Sequence, residues 1–290
     1  MHRGFSTVIS LKRTSAAVAV AAAWAVAAPG GAADVRSAAP APAAKSEPAA
    51  KVESHDKARA AAHSEVHWSY SGETGPEEWG RLKPEFAQCY MGKAQSPVNI
   101  ANPTRKDQPR FTFNYQPSKI EVINNGHTVQ LNFDAGSQME VDGRRYELQQ
   151  VHFHSPSEHT VNGKRYPVDF HFVHKSTDGR LAVVGVMATS GNANAAYRTL
   201  LDYAPPAKGE ERRNRSLTIN AADLLPRNRA VARYEGSLTT PPCTEGVSWN
   251  VLTTPIELSD AQIDQLRRIY PANGRPLQKR YEREIVVSSN

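Results

Sequence analysis

Apolar and polar residues alternate with a period of two along much of this chain, and turn residues interrupt the alternation. Val129, Leu131 and Phe133, for example, alternate with polar neighbours. A period of two places the apolar side chains of a strand on one face, so the pattern predicts a protein of the mainly β class. Residues 193–203 and 259–270 carry a helical pattern instead, and they predict two short surface helices.

Residues 1–33 have the organisation of an export signal. Arg3, Lys12 and Arg13 precede an apolar run at residues 16–28, and small residues follow it. This order predicts a signal peptide whose removal releases a periplasmic or secreted protein. The alternative is an uncleaved membrane anchor, but the 13-residue run is shorter than the ~20 residues that span a bilayer. We therefore expect no membrane span in the mature chain.

The composition changes sharply at about residue 66. Residues 34–65 are dominated by Ala, Pro, Lys and Glu and contain no aromatic residue. Such a segment cannot bury enough apolar surface to offset the entropy lost on ordering, so it predicts a flexible tether. Aromatic residues then appear in quick succession, beginning with Trp68 and Tyr70. One folded domain is predicted at residues 66–290.

The charge pattern argues against a nucleic-acid partner. The formal net charge is +6, but residues of both signs are mixed along the chain and make up only 22% of it. Nucleic-acid binding proteins instead concentrate Lys and Arg on one face or helix. We therefore expect no nucleic-acid function.

The chain has two cysteines, Cys89 and Cys243. An exported protein matures in an oxidising compartment, where a pair of cysteines tends to close into a disulfide. We predict that these two residues form one disulfide. The alternative is two unpaired buried thiols.

Two histidines lie close together in a segment that has the pattern of a strand. Strict alternation over residues 146–154 would place five side chains on one face, namely Tyr146, Leu148, Gln150, His152 and His154, and would send Val151 and Phe153 to the other. Neighbouring imidazoles on one face of a strand can converge on a single metal ion. On this pattern alone, two unrelated histidines on a polar face remain the alternative.

A second predicted strand adds a third imidazole. Alternation over residues 168–174 places Asp169, His171 and Val173 on one face, and a neighbouring strand can bring His171 beside the first pair. Three neutral imidazoles without a fourth protein ligand are typical of a catalytic zinc site with an open position. Gln150 is the candidate acceptor for His152 and Asp169 for His171, unless both are ordinary polar residues satisfied by backbone or water.

Several longer runs match the motifs of one known family in the same order. The runs are Trp68-Ser69-Tyr70, Gln95-Ser96-Pro97-Val98-Asn99-Ile100, Asn124-Asn125-Gly126-His127, Gln150-Val151-His152-Phe153-His154, Glu158-His159, Asp169-Phe170-His171, and Ser237-Leu238-Thr239-Thr240-Pro241-Pro242-Cys243-Thr244-Glu245 with Trp249. Together they resemble the alpha-class carbonic anhydrases, in particular their bacterial secreted branch, over about residues 66–284. The resemblance implies a single catalytic domain built on a large central, mostly antiparallel twisted sheet. It also implies a zinc enzyme whose metal-bound hydroxide hydrates carbon dioxide reversibly to bicarbonate and a proton.

The resemblance implies a role for each matching residue. His152, His154 and His171 hold Zn²⁺, while Thr239 and Glu158 orient the hydroxide. His127 carries the proton to solvent. The carbon dioxide and bicarbonate site is formed by Val173, Val183, Leu238, Thr239, Thr240 and Trp249.

One departure and two alternatives accompany this interpretation. Asp169 stands where the family commonly has Glu, so its carboxylate begins one methylene further from His171. A non-catalytic binding protein of the same fold is one alternative, although such relatives typically lose a zinc histidine. A zinc-buffering protein is the other, although it should have histidine-rich loops. A homodimer is possible, but no sequence feature identifies an interface.

Overall fold

The computed structural model of the protein describes residues 67–107 and 111–288. The predicted signal peptide at 1–33 and the predicted tether at 34–65 lie outside the described residues, as does the predicted start of the domain at Val66. Among the described residues, no helix is long and apolar enough to cross a membrane.

Most of the regular structure belongs to one twelve-stranded sheet. The strands of both sheets are numbered together in chain order, and β1, β8 and β9 belong to the second sheet. The large sheet contains β2 (Thr104–Lys106), β3 (Thr112–Asn114), β4 (Pro117–Asn124), β5 (Val129–Asn132), β6 (Gln138–Val141), β7 (Arg144–His154), β10 (Val168–Lys175), β11 (Leu181–Ser190), β12 (Glu211–Asn220), β13 (Val231–Ser237), β14 (Glu245–Leu258) and β15 (Val286–Ser288). The main path runs β12-β4-β5-β7-β10-β11-β14-β13-β15-β2, and β6 pairs with β3 and β7. Among the described strands of this sheet, only the pairs β11–β14 and β15–β2 are parallel. The predicted mainly β fold with a mostly antiparallel sheet is confirmed.

A second, small sheet contains β1 (Asn99–Ile100), β8 (Thr160–Val161) and β9 (Lys164–Arg165). The described helices are short: α1 (Trp79–Leu82), α2 (Gln88–Met91), α3 (Ala195–Asp202) and α4 (Asp260–Ile269), with 3-10 turns at Gly72–Thr74, Pro84–Phe86 and Ala221–Leu224. The helices α3 and α4 confirm the two helical predictions with slightly shorter ends.

Local sequence explains where α3 and α4 begin. The side chain of Asn194 accepts a hydrogen bond from the backbone N–H of Ala196 at the start of α3. At the start of α4, Ser259 and Gln262 form a reciprocal capping box. These bonds satisfy backbone N–H groups that have no partner inside the helix.

The central strands are buried on both faces because two apolar clusters cover the sheet. In β10, Phe170 and Phe172 belong to the larger cluster, where Phe170 packs against Tyr197 of α3. Alternate residues of the same strand, including His171 and Val173, point to the opposite face. A polar site can therefore form at the centre of the sheet without interrupting the larger core.

The predicted uninterrupted alternation along residues 146–154 is wrong. Val173 pairs with Gln150, whereas the next residue of β10 pairs with Leu148, so Gln149 is an extra residue in β7. This β-bulge reverses the alternation, because an added residue shifts every side chain before it to the other face. Tyr146 and Leu148 accordingly lie in the larger core, and they do not share a face with His152.

The predicted disulfide between Cys89 and Cys243 is confirmed, with a Cα–Cα distance of 5.0 Å. It joins α2 to the loop that follows β13, across 154 positions of sequence. Cross-linking residues this far apart restricts the unfolded chain and contributes about 5 kcal/mol to stability in the chain-entropy model.

Candidate metal centre

Strand pairing brings three histidines together. His152 and His154 lie two residues apart in β7, and His171 of β10 is directly opposite His152 in the antiparallel register. The Nε2 atoms of His152 and His154 are 3.1 Å apart. The ring of His171 is 5.3 Å from that of His152 and 4.6 Å from that of His154, between centroids. One ligand nitrogen from each residue falls within a 4.8 Å cluster.

The nitrogen of each ring that faces away from the cluster is next to an acceptor. Nδ1 of His152 is 2.8 Å from Oε1 of Gln150, and Nδ1 of His154 is 2.7 Å from the carbonyl of Asn273. Each Nδ1 therefore carries the proton, which leaves the Nε2 lone pairs of His152 and His154 facing each other. Two lone pairs 3.1 Å apart repel unless a cation lies between them. A zinc ion with bonds of 2.0–2.1 Å would separate two tetrahedral ligands by about 3.4 Å, so the residues fit this metal.

The electrostatic environment keeps all three imidazoles neutral. Burial lowers the pKa of His152, and the neighbouring His154 and His171 lower it further. Burial also lowers the pKa of His154 and of His171. Neutral imidazoles are the form that binds a metal, so no proton has to be displaced near neutral pH.

Asp169 lies beside the third histidine and is completely buried. Its Oδ2 is 3.3 Å from Nε2 of His171 and also accepts the backbone N–H of Glu158 at 3.1 Å. Burial raises the pKa of Asp169, although His154 and His159 oppose the rise. Its Oδ1 has no hydrogen-bond partner among the described residues. The carboxylate thus reaches His171 through one oxygen at a long distance.

Glu158 is a second buried carboxylate, and a backbone group fixes it. Its Oε1 accepts the N–H of Arg275 at 2.8 Å. Burial and the nearby Asp169 raise the pKa of Glu158, while the N–H and the positive charge of Arg275 and the Thr239 side chain oppose the rise. Oε2 makes no hydrogen bond to another described residue, although the side chain of Thr239 is close enough to lower the pKa of Glu158. This oxygen is therefore available to the Thr239 hydroxyl.

Thr239 and Thr240 lie on a tightly bonded loop between β13 and β14. The N–H of Leu238 donates to the carbonyl of Thr244 at 3.0 Å, and that of Cys243 donates to the carbonyl of Thr240 at 2.9 Å. The disulfide at Cys243 ties the same loop to α2. Thr239 is buried, whereas Thr240 is half-buried.

Four apolar residues form one wall beside His171. Val183 pairs with Val173 on one side and with Trp249 on the other. These three residues share the second apolar cluster with Leu238. The ring of Trp249 lies 4.9 Å from that of His171, between centroids, and its Nε1 donates to the carbonyl of Ser237 at 2.9 Å. The wall has no charged group of its own.

His127 lies in a loop between β4 and β5 and is half-buried. Its ring stacks on Trp68 with the centroids 3.5 Å apart and on His67 at 4.8 Å. Burial, together with repulsion from His67 and Lys208, lowers the pKa of His127 to about 4. In this stacked position the ring stays neutral near pH 7.

The sequence interpretation missed two residues of the site, Asn273 and Arg275. Both are buried in a loop that follows α4. Asn273 contributes its carbonyl to His154, and Arg275 contributes its N–H to Glu158. The guanidinium of Arg275 also donates to the carbonyls of Ser96 and Cys89. The local Asn-Gly-Arg sequence has the pattern of a surface turn, so no local signal identifies either residue.

Comparisons with known proteins show which family the chain belongs to. The family model of the eukaryotic-type carbonic anhydrases matches residues 74–289. A carbonic anhydrase of Nostoc sp. is 41% identical over 226 residues, which are 76% of this chain and 86% of the relative. One from Neisseria gonorrhoeae is 40% identical over 230 residues, or 78% of this chain and 90% of the relative. A hyperthermostable carbonic anhydrase from a hydrothermal vent chimney has a solved structure with a TM-score of 0.74 and 44% identity, covering 77% of this chain and 100% of that one. This chain therefore belongs to the eukaryotic-type carbonic anhydrase family.

Proposed function

We propose that this carbonic anhydrase, which catalyses the reversible hydration of carbon dioxide to bicarbonate and a proton, uses a zinc ion held by His152, His154 and His171. The observation that carries the proposal is the 3.1 Å distance between Nε2 of His152 and Nε2 of His154, with an acceptor next to Nδ1 of each ring. When bound, zinc would lower the pKa of a coordinated water to about 7 and so would supply a nucleophile at neutral pH.

Thr239 and Glu158 orient the nucleophile in this proposal. Glu158 accepts the N–H of Arg275 through Oε1, which leaves Oε2 to accept the hydroxyl proton of Thr239. While the hydroxyl of Thr239 donates its hydrogen bond to Glu158, its oxygen can only accept a hydrogen bond from the nucleophile. The direction of one bond then determines which lone pair faces the substrate, and this positioning needs no proton transfer by Glu158.

The apolar wall provides the place for the substrate. Carbon dioxide has neither charge nor net dipole, so a site for it needs apolar surface beside the metal and few competing donors. Val173, Val183, Leu238 and Trp249 provide such a surface next to His171. Thr240 and the N–H of Thr239 are the polar groups that we assign to bicarbonate.

His127 removes the proton in this proposal, but its stacked position does not suit the task. Stacked on Trp68, its pKa of about 4 lies well below the range for a proton carrier at neutral pH. A ring that leaves Trp68 for solvent escapes the burial that lowers its pKa, which then returns towards 6.5. We therefore propose that the ring moves between these two positions during turnover.

Stopped-flow measurement of carbon dioxide hydration, with the metal present and after removal by a chelator, tests the proposed function. We expect a rate that the chelator abolishes and that added zinc restores. His154→Ala should lose both the zinc and the rate, whereas Asp178→Ala, at an exposed position outside the metal cluster, serves as the control. Zinc binding without any hydration rate would instead favour a non-catalytic binding or zinc-buffering protein.

We also propose that the chain is exported and that its first 33 residues are removed. The disulfide supports an oxidising compartment. N-terminal sequencing of the mature protein from the native cell tests the cleavage. Native mass measurement distinguishes a monomer from a homodimer. A mature protein that retained residues 16–28 would contradict the predicted signal peptide.

A further inference from the structure

The side chain of Asn273 lies between the segment that carries His127 and the strand that carries two of the metal-ligand candidates. Its Nδ2 donates to the carbonyl of His127 at 3.0 Å and to the carbonyl of Phe153 at 3.1 Å. Its Oδ1 accepts the N–H of Ser155 at 2.8 Å. Phe153 separates His152 from His154 in β7. One rigid amide thus holds three backbone groups at fixed separations.

The amide is fully buried and fully bonded. Asn273 is 0% exposed, and both of its N–H donors and its oxygen have partners. Removing this amide leaves the carbonyl of His127 and the N–H of Ser155 without these hydrogen bonds, whereas the carbonyl of Phe153 keeps the hydroxyl of Thr128. The arrangement of these backbone groups therefore depends on this side chain.

The backbone of His127 has few other anchors. Its N–H donates to Oδ1 of Asn125 at 3.0 Å, a residue of the same loop. Its carbonyl is bonded to Asn273, which is 146 positions away in the sequence. The neighbouring Thr128 makes a second link, because its hydroxyl donates to the carbonyl of Phe153 at 2.6 Å. Asn273 is the residue that connects the His127 backbone itself to the metal-binding strand.

The side chain and the backbone of Asn273 act on different parts of the site. Its carbonyl accepts from Nδ1 of His154, and its N–H donates to the carbonyl of Ser155. A side-chain substitution leaves both backbone groups in the chain. The effect on proton removal can therefore be measured separately from the effect on the metal ligand.

We propose that the Asn273 side chain is a positioning group for proton removal. It fixes where His127 lies relative to the metal-binding strand, and so it sets the rate of proton transfer separately from the conversion of carbon dioxide. This inference rests on the proposed shuttle role of His127.

The test is Asn273→Ala in the full chain loaded with zinc. In weak buffer, kcat should fall about fivefold, well below the ~100-fold that a 1 Å misplacement of a reacting group can cost. The ratio kcat/KM should stay within about twofold, because carbon dioxide is converted before the proton leaves. Asn250→Ala is the matched control. It also removes a fully buried amide, which is bonded to the carbonyls of Val183 and Ser248. Any change that it causes should affect kcat and kcat/KM by the same factor.

A second measurement does not depend on activity. In the metal-free protein, hydrogen exchange at the amides of His127 and Thr128 should be about tenfold faster in Asn273→Ala than in the parent. Unchanged exchange would overturn the inference. Equal losses in kcat and kcat/KM would also overturn it, because they would indicate a general defect of the site.

A double-mutant cycle separates this inference from the shuttle proposal. In a His127→Ala background, Asn273→Ala should lower kcat no further, because it acts through His127. A further fivefold loss there would overturn the inference. If His127→Ala alone leaves kcat unchanged, the shuttle role and this inference both fail. If His127→Ala lowers kcat and Asn273→Ala does not, only this inference fails.

Discussion

At the scale of single residues, Asp169 shows the effect of a side chain that is one methylene shorter than Glu beside the three histidines. Its Oδ2 serves His171 at 3.3 Å and the N–H of Glu158 at 3.1 Å. Its Oδ1 and the Nδ1 of His159 are both buried without a hydrogen-bond partner among the described residues. A bond of 3.3 Å lies beyond the usual range for N–H···O. The third imidazole is therefore held more loosely than the first two.

Restoring the methylene should tighten the metal site. In Asp169→Glu, the longer side chain reaches closer to Nε2 of His171, and the dissociation constant for zinc should fall about tenfold, since groups that orient metal ligands change affinity by 10- to 100-fold. Competition with a chromogenic chelator measures this constant. Asp178→Glu, in a surface turn, is the control. An unchanged or larger dissociation constant would mean that Asp169 already orients His171 fully.

Loss of the proposed proton carrier should be visible only when buffer is scarce. In His127→Ala, kcat in weak buffer should fall by about ten- to a hundredfold, because no side chain then relays the proton to solvent. Added imidazole should restore most of the rate, and kcat/KM should change little. Stopped-flow assays at several buffer concentrations measure both constants. A rate independent of buffer and imidazole would assign the proton path elsewhere.

At the scale of the elements, alternation in the sequence predicted the part of the site that lies in regular strands. His152, His154 and His171 converge because period-two patterning and antiparallel pairing are local rules. Tyr146 and Leu148 do not follow the same rule because Gln149 forms a bulge. The spacing of apolar residues changes from two to three between Leu148 and Val151, and an uninterrupted alternation ignores that change. Patterning therefore predicts the faces of a strand only as far as its first irregularity.

The residues that complete the site from loops were beyond such rules. The carbonyl of Asn273 reaches His154 across 119 positions, and the N–H of Arg275 reaches Glu158 across 117. Backbone N–H and carbonyl groups have the same chemistry in every residue, so the residue type does not predict which of them contribute to the site. The roles of Glu158 and Thr239 were implied by the family resemblance rather than by patterning. Loop contributions of this kind require either a resemblance or a structure.

The capping box of α4 offers a test at this scale. Ser259→Ala removes the oxygen that accepts the N–H of Gln262, and it should lower the free energy of unfolding by about 1 kcal/mol. Urea unfolding followed by circular dichroism measures the change. Ser259→Asp, which retains an acceptor at the same position, should recover most of the loss. Equal losses in both variants would show that the cap contributes little.

At the scale of the whole molecule, buried histidines should make stability depend on pH. His174 is completely buried between Tyr115 and the carbonyl of Phe172. Burial lowers the pKa of His174 to about 3, whereas an exposed histidine in the unfolded chain has a pKa of about 6.5. Between these values the unfolded chain binds a proton that the folded chain does not. Stability therefore rises with pH across this window and is lost as pH falls from about 6.5.

Replacing His174 should flatten that dependence. One such residue contributes a slope of up to about 1.4 kcal/mol per pH unit, so the parent should lose roughly 2 to 3 kcal/mol more than His174→Gln between pH 7 and pH 4.5. Urea unfolding of both metal-free proteins at the two pH values gives the difference. Parallel pH dependences would show that His174 does not control acid stability.

The loop that carries Asn273 and Arg275 has a consequence for synthesis. A chain made from its N-terminus acquires all three histidines more than a hundred residues before it acquires the carbonyl that orients His154. A polypeptide still emerging from the ribosome thus holds an incomplete site, in which His154 lacks the carbonyl of Asn273 and Glu158 lacks the N–H of Arg275. The site is therefore complete only after the loop that follows α4 has been synthesised, and a nascent chain that ends before Asn273 should bind metal more weakly than the whole protein.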